Sequence, residues 1–155
     1  MDRIPMTKQG YESLKKDLSY IKAVERPKNI KAIEEARAHG DLSENAEYEA
    51  ARDKQRFLEA KINELSYKLA NAEVIDPTGL PRDRAVFASK VVLDNIDTGD
   101  SVEYQLVGPE ESDIEKGRIS ISSHLGKAIL GKKPGDEILV EATGGRRRYE
   151  LIEII

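Results

Sequence analysis

GDLSENAEY, residues 40–48, decides how the chain is read. A glycine, acids and small polar residues stand between two long stretches of helical periodicity, so the segment reads as the tip of an antiparallel hairpin. It is also chemically one-sided. Asp41, Glu44, Glu47 and Glu49 lie together, with no base between Asp41 and Ala51.

On the N-terminal side, Thr7 follows Pro5 and Met6 and is placed to cap a helix. Tyr11, Leu14, Leu18, Ile21 and Val24 then recur at spacings of three and four, the pattern of an amphipathic helix. Pro27 removes one helical hydrogen bond and predicts a kink or a slip of phase. The apolar stripe does resume out of step, at Ile30 and Ile33, and ends through Ala36, His39 and Gly40, with Gly40 the expected C-terminal cap. On the other side a second helix is expected from about Ser43, with Leu58, Ile62, Leu65, Leu69 and Ala72 in heptad spacing.

Residues that face each other in such a hairpin have position numbers with a constant sum. Leu14 with Leu69, Leu18 with Leu65, Ile21 with Ile62, Ala32 with Ala51 and Ile33 with Ala50 all share one sum, which centres the turn between Asp41 and Leu42. Large residues pair far from the tip and alanines near it, so the two helices are expected to converge there. Arms of about 30 residues at 1.5 Å per residue are about 45 Å long.

Asp76-Pro77-Thr78-Gly79-Leu80-Pro81 reads as a linker, and the texture changes beyond it. Residues 86–93, 101–107, 118–122, 137–142 and 148–155 are short β-branched segments separated by turn signals. Between the third and fourth lies SHLGKAILG, residues 123–131, a short helix with Ser at its start and Gly past its end. The expected class is therefore α+β. A coiled-coil hairpin domain at 1–76, with its acidic tip at about 40–47, precedes a linker at 77–82 and a mostly antiparallel sheet domain with a short helix at 83–155.

Composition narrows the function. No apolar run approaches the roughly 20 residues of a membrane span, and the N-terminus lacks a signal-peptide core, so a cytoplasmic protein without membrane contact is expected. The absence of Cys excludes disulfides and thiol chemistry, and two His, at 39 and 124, exclude a His-rich metal centre. Net charge is -4 without a dense basic face, which argues against strong binding to free nucleic acid, because neutralising phosphates supplies most of that affinity.

Asp41 and Glu44 stand three residues apart, a spacing that lets two carboxylates converge on one hard cation such as Mg²⁺, which keeps much of its water. The same spacing is a capping box, and acids in a first helical turn are favoured by the helix dipole. Arg37 and Arg52 flank the acids at positions that could share one side of the hairpin, either as exposed helix charges or as phosphate contacts. His39 and His124 lack the partners of a catalytic histidine.

GDLSENAEYEAARDKQ, the opening IPMT with its long helix, and GRISISSHLGKAILGKKPGDEI together resemble the bacterial Gre-type transcript cleavage factors, on the GreA rather than the GreB side of that family. The resemblance spans essentially the whole chain. It implies an FKBP-like second domain that docks on RNA polymerase beside the secondary channel, and a hairpin that enters the channel. It further implies that Asp41 and Glu44 help hold a weakly bound Mg²⁺ shared with the polymerase, with no tightly bound cofactor and no catalysis by the chain alone. The backtracked nascent RNA is then hydrolysed near its 3′ end and elongation resumes. By the same resemblance Arg37 and Arg52 contact the RNA, and the docking loop is Ser120, Ile121, Ser122 and Ser123. Any contact with DNA is confined to the polymerase complex. The family usually has Pro where this chain has His124, a departure that bears on the docking geometry.

Three alternatives stand beside this expectation: a Gre-like inhibitor that occupies the channel without promoting cleavage, a plain coiled-coil interaction module, and a prolyl isomerase. The last needs an aromatic-lined pocket, and beyond residue 80 the only aromatics are Phe87, Tyr104 and Tyr149.

Overall fold

The computed structural model describes residues 3–39 and 45–155. The expectations for Gly40, Asp41, Ser43 and Glu44 lie outside the described residues. Strand β1 (Ile4–Thr7) leads into α1 (Lys8–Tyr20), a π-helical turn (Ile21–Glu25) and α2 (Arg26–Ala38). Helix α3 (Ala46–Ala70) returns and is followed by β2 (Ala72–Ile75), which pairs with β1. That strand pair was not legible in the periodicity. Thr7 caps α1 as expected, its Oγ1 accepting from the Gly10 N–H at 3.0 Å.

The phase slip at Pro27 has a definite form. The Arg26 N–H bonds the Ile21 carbonyl five residues back, so the turn holds one residue more than an α-turn and rotates the following helix by about 100°. Pro27, in the first turn of α2, lacks the N–H that an unbroken helix would use. Rotation exposes Val24 and Ile30, which the stripe placed in the seam, and turns Asn29 inward instead. Asn29 is 5% exposed; its Nδ2 donates to the Ala51 carbonyl at 2.8 Å and to Gln55 Oε1 at 3.0 Å.

Far from the tip, Leu18 and Leu65, and Ile21 and Ile62, of the expected facing pairs gather in one cluster with Leu58 and Leu14, whereas Leu69, expected opposite Leu14, is half-buried and outside it. Nearer the tip the seam differs from its expected run of alanines. Tyr48 and Ala51 are buried, whereas Ala50, expected opposite Ile33, is exposed. The reason is periodic: positions 48, 51, 55, 58, 62 and 65 continue one heptad seam, and position 50 is off it.

The second unit is a five-stranded sheet of order β5-β4-β3-β7-β6. Its strands are β3 (Lys90–Asn95), β4 (Ser101–Val107), β5 (Arg118–Ser120), β6 (Glu137–Ala142) and β7 (Gly145–Ile154). All neighbours are antiparallel except β4 and β5, which run parallel. Val91, Leu93, Leu106, Ile138 and Leu151 are fully buried on one face, and α4 (His124–Ile129) covers them through Ile129, Leu125 and Ala128. A register shift between Val92 and Leu93 pairs them with Glu153 and Leu151. The extra residue on β7 explains why its inward positions step from Tyr149 and Leu151 to Ile154.

Strand β3 starts later than the expected residue 86. Residues 86–89 form a turn in which Ser89 N–H bonds the Val86 carbonyl and Ala88 takes a left-handed φ of 72°. Tyr11–Ala72 form one compact unit with the segment ending at Ile4, and Glu73–Ile155 form the other together with Pro5–Gly10. A boundary at residue 76 would assign Pro5–Gly10 to the hairpin. They belong with the sheet unit because the Thr7 N–H and hydroxyl both donate to the Glu111 carboxylate, and Arg118 Nη2 donates to Gln9 Oε1 at 2.7 Å.

Candidate functional site

The hairpin end is organised by Asn45. Its backbone is extended and its Oδ1 accepts from the Tyr48 N–H at 3.0 Å, which makes it the N-cap of α3. Its Nδ2 donates to the Ala36 carbonyl at 2.8 Å. One side chain thus satisfies an orphan donor at the start of α3 and adds a second donor to the Ala36 carbonyl at the end of α2, which also accepts from the His39 N–H at 3.3 Å. Asn45 is thus the N-cap of α3; the capping-box reading of Asp41 and Glu44 lies outside the described residues. The signal was present, since Asn is a favoured cap three residues before Tyr48.

That cap sets the phase that buries Tyr48 between the helices, 8% exposed. The guanidinium carbons of Arg37 and Arg52 lie 5.9 Å and 5.8 Å from its ring centroid, and Arg52 Nη1 approaches the phenol oxygen at 3.5 Å. Arg37 first, and Arg52 second, hold the Tyr48 phenol below its usual pKa range by favouring the phenolate. The two arginines that the sequence offered as RNA contacts are therefore brought together on one aromatic ring. His39 Nδ1 sits 4.0 Å from Glu47, both exposed, an arrangement that contributes little. Asp41 and Glu44 lie outside the described residues. Among the described residues no group of three or more His, Asp and Glu could hold a metal, and no helix is long and apolar enough to cross a membrane.

The second candidate region is the turn from β5 to α4. Ser120 Oγ and Ser122 Oγ are 2.6 Å apart, and the Ser122 N–H donates to Ser120 Oγ at 3.0 Å. Ser123 Oγ donates to the Ser120 carbonyl and accepts from the Gly126 N–H as the N-cap of α4. Gly126 is required here, because a Cβ would stand 2.0 Å from the Ser120 oxygen. The result is a tightly bonded turn that leaves Ser122 and His124 exposed and Ile121 half-buried. Beside it a cleft of about 370 Å³ is lined by Ile114, Arg118, His124, Leu125, Arg147 and Tyr149 among others.

His124 is the first residue of α4, where the missing N–H of a proline costs nothing. Ser123 has φ -71° and ψ 160°, the conformation that a following proline demands. The backbone is thus already shaped for the Pro of the resembled family, and His124 departs from it in side chain alone.

Two family models match in tandem. Residues 4–74 fit "Transcription elongation factor, N-terminal" and residues 80–155 fit "Transcription elongation factor, GreA/GreB, C-term". The chain is 52% identical over 153 residues to the transcription elongation factor GreA of Thermodesulfovibrio yellowstonii, covering 99% of this chain and 97% of that protein. It is 51% identical to that of Syntrophus aciditrophicus, over 99% and 96%. Among solved structures, GreA factor homolog 1 (Gfh1) of Thermus thermophilus is 26% identical over 99% of both chains, with a TM-score of 0.45. Because both halves match in order, and relatives of about half-identical sequence extend over nearly the full length, the chain belongs to the GreA/GreB family of transcription elongation factors.

Proposed function

We propose that the chain works on RNA polymerase as a non-enzymatic cleavage-stimulating factor. The sheet unit docks through Ser120, Ile121, Ser122 and Ser123, and the hairpin end enters the secondary channel. There Asp41 and Glu44 lend carboxylate oxygens to a Mg²⁺ shared with the polymerase, while Arg37 and Arg52 contact the extruded RNA. The backtracked 3′ end is then cut and elongation resumes.

The observation that carries this reading is the gathering of Arg37 and Arg52 on Tyr48, close in sequence to the acids Asp41 and Glu44. The donor set fits the ion: two carboxylates suit a hard cation that keeps several waters or takes its other ligands from the polymerase. When bound, such an ion orients and activates an attacking water in a two-metal hydrolysis. The chain's own part is to bring carboxylates to a site crowded with phosphate, and the arginines offset the repulsion between those acids and the RNA.

The test is the double variant Asp41→Asn, Glu44→Gln in halted elongation complexes. Stimulated transcript cleavage should disappear, while competition with the unaltered chain for polymerase stays near its original strength. Undiminished cleavage by the variant would refute the metal-sharing role. Slowed run-off transcription without cleavage by the unaltered chain would favour the inhibitor reading.

A further inference from the structure

We propose that Tyr48 is a positioning residue that holds Arg37 and Arg52 as one fork for the phosphodiester backbone of single-stranded RNA, an assignment that rests on the RNA-contact reading of those arginines given above. Sequence alone places the two arginines on different helices, α2 and α3, at positions that could share one side of the hairpin, and does not show what would hold their long side chains together. In the structure a single ring does so.

The ring is well anchored. It is buried in the seam, its own N–H is bonded to Asn45, and Asn45 is bonded across to the Ala36 carbonyl next to Arg37. Both arginine backbones are thus tied to the element that carries the ring. Each guanidinium carries five N–H donors; both turn one edge toward the phenol oxygen, Arg52 Nη1 at 3.5 Å, and their remaining N–H groups are available to grip a phosphate. Free arginines lose much rotamer freedom on binding an anion; stacking restricts them beforehand, so more of the contact appears as affinity.

The surroundings require such fixing. Glu47 and Glu49 lie in the first turn of α3 beside Tyr48, and carboxylates compete with phosphate for any mobile guanidinium. Two like charges on one ring also repel each other, which an incoming phosphate relieves. The lowered pKa of the Tyr48 phenol agrees with cationic groups held close to it.

The experiment uses halted elongation complexes carrying a photoreactive nucleotide at the RNA 3′ end, with crosslinking to the factor measured against factor concentration. Tyr48→Phe keeps the ring and should crosslink like the unaltered chain. Tyr48→Leu keeps an apolar side chain in the seam but removes the ring face, and should raise the half-maximal concentration roughly two- to fivefold. Adding Tyr48→Leu to Arg37→Ala, Arg52→Ala should cost nothing further, since the fork is already gone.

A second readout needs no polymerase. Absorbance titration near 295 nm should show one early-titrating phenol in the free chain, displaced to higher pH in Arg37→Ala, Arg52→Ala and absent in Tyr48→Phe. Crosslinking of Tyr48→Leu at the original level, while Arg37→Ala, Arg52→Ala loses it, would overturn the role of Tyr48 alone. Crosslinking retained by both would overturn the RNA-contact reading as well. Should Tyr48→Leu lose helicity at 222 nm, Arg37→Lys, Arg52→Lys decides instead: it preserves charge without the planar fork, and undiminished crosslinking would refute the proposal.

Discussion

Asn45 shows how much one residue does at the hairpin end. It accepts from the Tyr48 N–H and donates to the Ala36 carbonyl, so it closes both helix termini at once. Asn45→Ala leaves the Tyr48 N–H without its cap partner and the Ala36 carbonyl with the His39 N–H as its donor, and should lower stability by about 1 kcal/mol in urea unfolding followed at 222 nm. Asn45→Asp keeps the acceptor and loses the donor, and should fall between the two. An Asn45→Ala variant as stable as the original would mean that water replaces both bonds without cost. Asn29 plays a related part deeper in the seam, where its amide pins α2 to the Ala51 carbonyl and fixes the register of the two helices.

At the scale of elements, two short devices decide the geometry. The π-helical turn before Pro27 gives α2 a face different from the one that α1 would have continued. The turn into α4 is the other: Ser123 caps the helix while Gly126 allows the Ser120 carbonyl to press against it. Gly126→Ala forces a methyl group into that backbone oxygen and should cost about 1–3 kcal/mol. His124→Pro meets a compatible backbone on both sides and should leave stability unchanged or raise it by about 0.4–1 kcal/mol through the stiffened unfolded chain, with an equal or slightly higher melting temperature. Thermal melts of the two variants separate these expectations. A large loss in His124→Pro would show that the imidazole itself supports the turn.

For the whole molecule, the units do not follow the order of the chain. Pro5–Gly10 cluster with the sheet unit, where Glu111 accepts from both the Thr7 N–H and the Thr7 hydroxyl. Gly10 leaves room for it, since a Cβ there would stand 2.2 Å from the Glu111 carboxyl carbon. Glu111→Ala removes a charged acceptor from two donors and should destabilise the sheet unit by about 1–3 kcal/mol. Amide hydrogen exchange at the Tyr104 and Tyr149 backbone positions of the sheet, followed against urea, should shift to lower urea. The seam around Leu58, Ile62 and Leu65, followed as helicity at 222 nm, should unfold as before. Coincident shifts of both signals would show instead that the units melt as one.

Several features were legible from residues alone. The heptad spacing of Leu58, Ile62 and Leu65, the break at Pro27, the acidic sequence between the helices and the Ser and Gly bounding α4 each follow from local periodicity or backbone chemistry. Such signals survive because 3.6-residue repeats and proline's missing donor act through near neighbours. The rest required distant residues to meet. Asn29 is polar and reads as surface until the π-helical turn rotates it inward; Tyr48 reads as one more tip residue until the Asn45 cap sets the phase that buries it. Glu111 and Thr7 stand too far apart in the chain for any window to pair them. For this protein, then, the sequence by itself determined the two long helical stretches, the short helix, the main strands of the sheet and the residue types available for function, but not the β1–β2 pair or the turn at residues 86–89. Tertiary structure alone decided which face each helix presents and that Arg37 and Arg52 share one ring, because side-chain direction depends on accumulated rotation and on packing partners that local sequence does not contain.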